Sequence, residues 1–146
     1  MLRHIFSASL LAGVSLVAIG CGGGSGDAPA TVAAKGTVTV DGKAMGKLSV
    51  MFMPTKGKVA TGVTDDQGQF SLTTNTPGDG ATVGAYTVSV SPIQEVGTPM
   101  PGMDGYVKPG PPPFARKYTD NTKSGLTATV DADASKNDFK FDLSSK

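Results

Sequence analysis

The sequence predicts an all-β fold, an antiparallel β-sandwich of seven strands, and three observations carry that expectation. Apolar residues recur at every second position through most of the chain, the period of strands with one buried face. Turn residues interrupt these runs at short spacing. The 146 residues include 20 glycines and 10 prolines, and only 17% are charged, a strand-and-turn composition that excludes a coiled coil or helical bundle. The length suits one domain.

Taken in order, Val38 and Val40 alternate in the first strand, and Leu48, Val50 and Phe52 in the second. The stretch Lys58 to Thr64 is a poorer third, and Phe70 and Leu72 mark a fourth. Tyr86, Val88 and Val90 follow, then Leu126, Ala128 and Val130, and finally Phe139, Phe141 and Leu143. Asp41-Gly42 separates the first two strands, where glycine tolerates positive φ. Asp65-Asp66-Gln67-Gly68 and Pro77-Gly78-Asp79-Gly80 punctuate the next ones. In the first of these a carboxylate can accept backbone amides within the turn while Phe70 enters the core.

Residues 91–113 break the rhythm, with seven prolines and four glycines in 23 positions. Proline lacks an amide donor and fixes φ, so this stretch reads as a long loop of partly polyproline II character rather than a central strand. Loops of this length inside a compact domain are often functional or disordered.

The N-terminus has another logic. A short basic start, Met1-Leu-Arg-His4, precedes fifteen uncharged residues, Ile5 to Ile19. That is the length of a signal-peptide core and short of the ~20 residues that span a bilayer. Ala18-Ile19-Gly20-Cys21 resembles a bacterial lipobox. The resemblance implies a lipoprotein signal peptide at 1–20 and a diacylglyceryl and acyl modification of Cys21. Each buried methylene of such an anchor contributes about 0.8 kcal/mol, so several chains hold the protein on a membrane. Two other readings stand beside it, cleavage after Ala28-Pro-Ala30 and an uncleaved membrane anchor. Residues 21–34 read as a flexible tether of small residues, and 35–146 as the folded domain.

The run Gly36-Thr-Val-Thr-Val-Asp-Gly-Lys43, then Met-Phe-Met-Pro54 and Gly62-Val-Thr-Asp-Asp-Gln-Gly-Gln-Phe70, resembles the carboxypeptidase regulatory-like domain, a transthyretin-like sandwich within the Ig-like group. Pro77-Gly-Asp-Gly80 before Gly84-Ala-Tyr-Thr-Val-Ser-Val90 continues the likeness, as do Phe114 to Asp120, Ser124 to Val130 and Asn137 to Leu143. Behind a lipobox and a glycine tether, the arrangement is similar to small bacterial lipoproteins. The resemblance implies a fold rather than an activity, and no zinc-peptidase ligands transfer, because the catalytic domain of those peptidases has no counterpart here.

Chemistry narrows the choice further. Beyond residue 20 the chain holds 12 basic and 12 acidic residues, which leaves no electrostatic footprint for nucleic acid. The single histidine, His4, falls inside the signal segment, so nucleophile and base pairs of the usual kind are absent from the mature sequence. Asp65 with Asp66, and Asp131 with Asp133, are the weak candidates for a carboxylate pair or a calcium site, against solvated turns as the plainer reading. Met100 and Met103 could offer soft thioethers to copper. The proline-rich loop has the best claim, with Tyr106, Phe114 and Tyr118 as adhesive area and Arg116 as a rim charge. Covering a sheet edge is the alternative.

The sequence therefore leads to a non-catalytic, membrane-anchored binding or structural module, located outside the cytoplasm on the cell membrane or outer membrane. Its expected partners are membrane lipid through Cys21 and an envelope protein or polysaccharide, with no cofactor. The alternative is a carbohydrate- or calcium-binding accessory protein.

Overall fold

The computed structural model describes residues 30–93, 99–108 and 110–146. The signal segment, Cys21 and the tether up to residue 29 lie outside the described residues. The fold is all-β. Ten strands follow one another: β1 (Thr31–Val32), β2 (Lys35–Val40), β3 (Lys43–Ala44), β4 (Leu48–Pro54), β5 (Ala60–Val63), β6 (Gln69–Ser71), β7 (Ala81–Thr82), β8 (Gly84–Pro92), β9 (Leu126–Val130) and β10 (Asp138–Leu143). Two 3-10 turns, Arg116–Thr119 and Ala134–Lys136, are the helical elements among the described residues. Each of the seven alternating segments carries a strand, and the additions are the two-residue strands β1, β3 and β7.

One sheet has the order β5-β4-β8-β9 and is antiparallel throughout. In the other, β10 flanks β2 on one side while β3 and β6 share its other side. Here the structure corrects the antiparallel expectation. β10 runs parallel to β2, with Asp138 opposite Lys35 and Leu143 opposite Val40. The reason is chain order: a tight turn can only join antiparallel neighbours, whereas β2 opens the domain and β10 closes it after a long excursion.

The folded part also begins before residue 35. Thr31 and Val32 pair with Thr82 and Ala81, and Ala34 is buried. Gly80 makes this possible, because its φ of +89° lies where side chains are disfavoured and a Cβ there would run into the Val32 carbonyl.

The two sheets face each other across one core. Phe52 of β4 is fully buried, and its ring lies 5.4 Å from Phe139, 6.0 Å from Phe141, 6.2 Å from Phe70 and 5.8 Å from Tyr86. Three of these partners belong to the opposite sheet. Gly36 makes room for the Phe70 ring within its own sheet, since a Cβ at that position would collide with the Phe139 carbonyl and lie 2.7 Å from that ring.

The barrel-like stack has two distinct ends. The chain enters at one, where the Lys35 amide donates to the Asn137 carbonyl at 2.9 Å. At the other, Asp41-Gly42 turns with φ of 49° and 78°, the Ile93 amide donates to the Lys47 carbonyl at 3.1 Å, and the Ala115 amide to the Ser144 carbonyl at 2.9 Å. β8 runs on to Pro92 opposite Leu48, so the loop read as 91–113 starts at 93. Pro92 fits because it occupies the last strand position, where a ladder amide is dispensable.

Candidate functional site

The described part of the loop that leaves the far end, residues 99–108, contains two consecutive reverse turns. Met103 N–H donates to the Met100 carbonyl at 3.0 Å, with Pro101 and Gly102 between them and Gly102 at φ of 95°. Tyr106 N–H then donates to the Met103 carbonyl at 3.1 Å, with Gly105 at φ of 81°. Proline followed by glycine is the signature of a type II turn, because proline presets the first φ and glycine accepts the second. The turns push side chains outward. Met100 is 69% exposed, Met103 61%, Tyr106 37% and Val107 83%. Four apolar side chains are thus exposed within eight residues.

The remaining aromatic candidates behave differently. Phe114 and Tyr118, expected to add adhesive area, are buried, with ring centroids 6.3 Å apart and edge to face. They plug the far end of the core, and the Ser144 amide donates to the Tyr118 hydroxyl at 3.4 Å. An apolar ring beside the open end of a two-sheet core gains more from closing it than from standing in water. They root the loop and do not form its surface. Arg116 is exposed, and Lys117 Nζ sits 4.9 Å above the Tyr118 ring.

Three of the four aspartates, Asp65, Asp131 and Asp133, accept hydrogen bonds within turns. Asp65 Oδ1 accepts the amides of Gln67 at 2.9 Å and Gln69 at 2.8 Å, and Gly68 takes φ of 73°. Phe70 is buried beneath them. Asp66 is exposed. β9 ends at Val130, so Asp131 and Asp133 do not share a strand face. Asp131 Oδ1 accepts the Asp133 amide at 2.9 Å and its other oxygen lies 3.7 Å from Lys136 Nζ. The Ser135 hydroxyl, and next its amide, hold the Asp133 carboxyl below the usual aspartate range. Among the described residues no three His, Cys, Asp or Glu side chains converge as a metal site. Met100 and Met103 bracket a single turn.

A second feature was not legible from spacing. On the outer face of β6, β2 and β10, Lys35, Thr37, Gln69, Ser71 and Asp138 line a groove of about 470 Å³, with Val63 at its wall. Its lining mixes a donor, Lys35, an acceptor, Asp138, and groups that do both, Thr37, Gln69 and Ser71. Cross-strand register creates it, since Lys35 stands between Ser71 and Asp138.

No family model, curated protein or solved structure matches the chain.

Proposed function

We propose that this chain is a non-catalytic, lipid-anchored module of the cell envelope, a seven-stranded transthyretin-like sandwich of the carboxypeptidase regulatory-like kind. It is held on the membrane through Cys21, outside the cytoplasm, and engages an envelope protein through the 99–108 loop.

The observation that supports this reading best is the polarity of the fold. The chain enters beside Lys35 and Asn137, while the loop is rooted at the opposite end by Ile93 and Ala115. A six-residue strand, about 20 Å, separates tether from loop. The roots of the loop therefore lie at the end away from the attachment, and Met100, Met103, Tyr106 and Val107 are exposed rather than part of the core.

A photo-crosslinking residue at position 107, in the native envelope, is expected to give a discrete adduct that the same residue at Val83 does not. Val83 is 56% exposed and near the attachment end, so it reports random encounter. Equal labelling from both positions would reject the loop as the contact surface.

The groove over β2 supports a second reading, a polysaccharide contact. Hydroxyl, amide, ammonium and carboxylate groups in adjacent rows suit a polyol. Calcium has less support, because Asp65, Asp131 and Asp133 accept turn hydrogen bonds and no three acidic side chains converge among the described residues.

A further inference from the structure

We propose that β9 is a self-association edge, along which two copies of this chain pair Leu126–Val130 antiparallel about Ala128. An exposed strand edge offers unpaired amides and carbonyls, and proteins blunt such edges with charge, proline, bulges or cover. Leu126–Val130 contains no charge, proline or bulge, and no strand pairs with its outer edge among the described residues. It sits at the end of its sheet and pairs with β8 in an unbroken register from Leu126 opposite Val88 to Val130 opposite Gly84. Among the described residues, its backbone hydrogen bonds go to β8 and to the Ser124 hydroxyl.

The other edges are protected. Thr73 covers β5, exchanging hydrogen bonds with Thr61 at 2.9 and 2.8 Å. β10 exposes Asp138, Lys140 and Asp142. β6 and β3 are three and two residues long, and β3 carries Lys43.

The occupant follows from the sequence of the edge. In an isologous contact residue i of one copy meets j of the other and j meets i, and the near-symmetric Leu-Thr-Ala-Thr-Val then pairs threonine with threonine and apolar with apolar residues. Antiparallel pairing about Ala128 sets Thr127 against Thr129 of the second copy on the exposed face. On the core-facing side it sets Leu126 against Val130. The flanks agree in sign: Lys123 precedes the strand, Asp131 and Asp133 follow it, and Lys123 keeps 74% of its side chain exposed beside Asp120. An antiparallel pair brings Lys123 of one copy toward the acids of the other, whereas a parallel pair would stack like charges. One edge ladder is a small interface, so the pair is a weak one. It joins the two four-stranded sheets into one and sets the attachment end of each copy beside the loop end of the other.

The test is sedimentation equilibrium of the full chain in density-matched detergent. The wild-type protein is expected to dimerise with concentration. Thr127→Lys with Thr129→Lys places like charges face to face twice, on the solvent side, and is expected to weaken the dimer about tenfold or more without moving the melting temperature. Thr127→Glu with Thr129→Lys places opposite charges face to face twice and is expected to restore it. A wild-type chain that stays monomeric throughout, a double-lysine variant that dimerises unchanged, or a charge-swapped variant that fails to recover would each overturn the proposal.

Discussion

Asn137 holds Asp131 as a neighbouring strand would. Its side-chain oxygen accepts the Asp131 amide at 2.8 Å and its side-chain nitrogen donates to the Asp131 carbonyl at 2.9 Å. The same nitrogen lies 3.3 Å from the Ala33 carbonyl, and the Asn137 backbone carbonyl accepts the Lys35 amide. One side chain, 1% exposed, thus ties the end of β9 to the start of β10 and to the segment where the chain enters the fold.

Asn137→Ala leaves three backbone groups short of a partner, and unsatisfied buried groups cost about 1–3 kcal/mol each before water intervenes. The variant is expected to lose about 2 kcal/mol or more in chemical denaturation. Asn137→Asp keeps an acceptor for Asp131 but no donor, and is expected to be at least as damaging at neutral pH. Wild-type stability in either variant would remove Asn137 from this role.

Gly80 and Gly78 make a controlled pair. Both have positive φ, 89° and 77°, but a methyl group at Gly78 meets open space while one at Gly80 meets the Val32 backbone. Gly78→Ala is expected to cost about 1 kcal/mol from backbone strain alone. Gly80→Ala is expected to cost more and to speed amide exchange at Thr31 and Val32, as β1 leaves β7. Equal effects on exchange would mean that β1 is held by something else.

How much of this was readable beforehand depended on the range of the interaction. Val38, Phe52 and Val88 declare their strands because alternation is a local property of the chain, and Asp65 to Gly68 declares its turn because both groups lie within it. The parallel partnership of β2 and β10 is settled by residues about a hundred positions apart, and no local pattern encodes it. Phe114 and Tyr118 were misplaced for the same reason: proximity to a proline-rich loop says nothing about which rings close the core. Met100 and Met103 stood out in sequence, but their exposure required the turns that display them. Asn137 carried no signal at all, since a polar residue before a strand usually marks a solvated turn.

Acid should weaken the fold through its aspartates. Asp79 accepts the amides of Thr74 at 2.7 Å, Asn75 at 2.9 Å and Thr76 at 3.1 Å, and the Thr74 bond above all holds its carboxyl below the ordinary value of 3.8. The Ser145 contact lowers Asp41 and the Thr122 contact lowers Asp120, while Ser135 lowers Asp133. A depressed folded-state pKa contributes stability above the unfolded-state value and loses it as pH falls through the folded one. The melting temperature is therefore expected to be level from neutrality to about pH 5 and to fall below about pH 4. Asp79→Asn should lower it at pH 7 and flatten the acid slope; an unchanged slope would show that this carboxylate is not a main contributor.

Phe114 and Met100 separate the root of the loop from its surface. Phe114→Ala is expected to cost about 3 kcal/mol by opening the end of the core. Met100→Ser, at a residue 69% exposed, is expected to stay within about 0.5 kcal/mol of wild type. Comparable losses would mean that the loop packs on the domain rather than being displayed by it.

The intact mass of the native protein from fractionated cells tests the central claim most directly. A mass beginning at Cys21 with two or three acyl chains, found in the membrane fraction, is the predicted result. An unmodified, soluble chain beginning elsewhere would contradict the anchor and with it the envelope module built upon it.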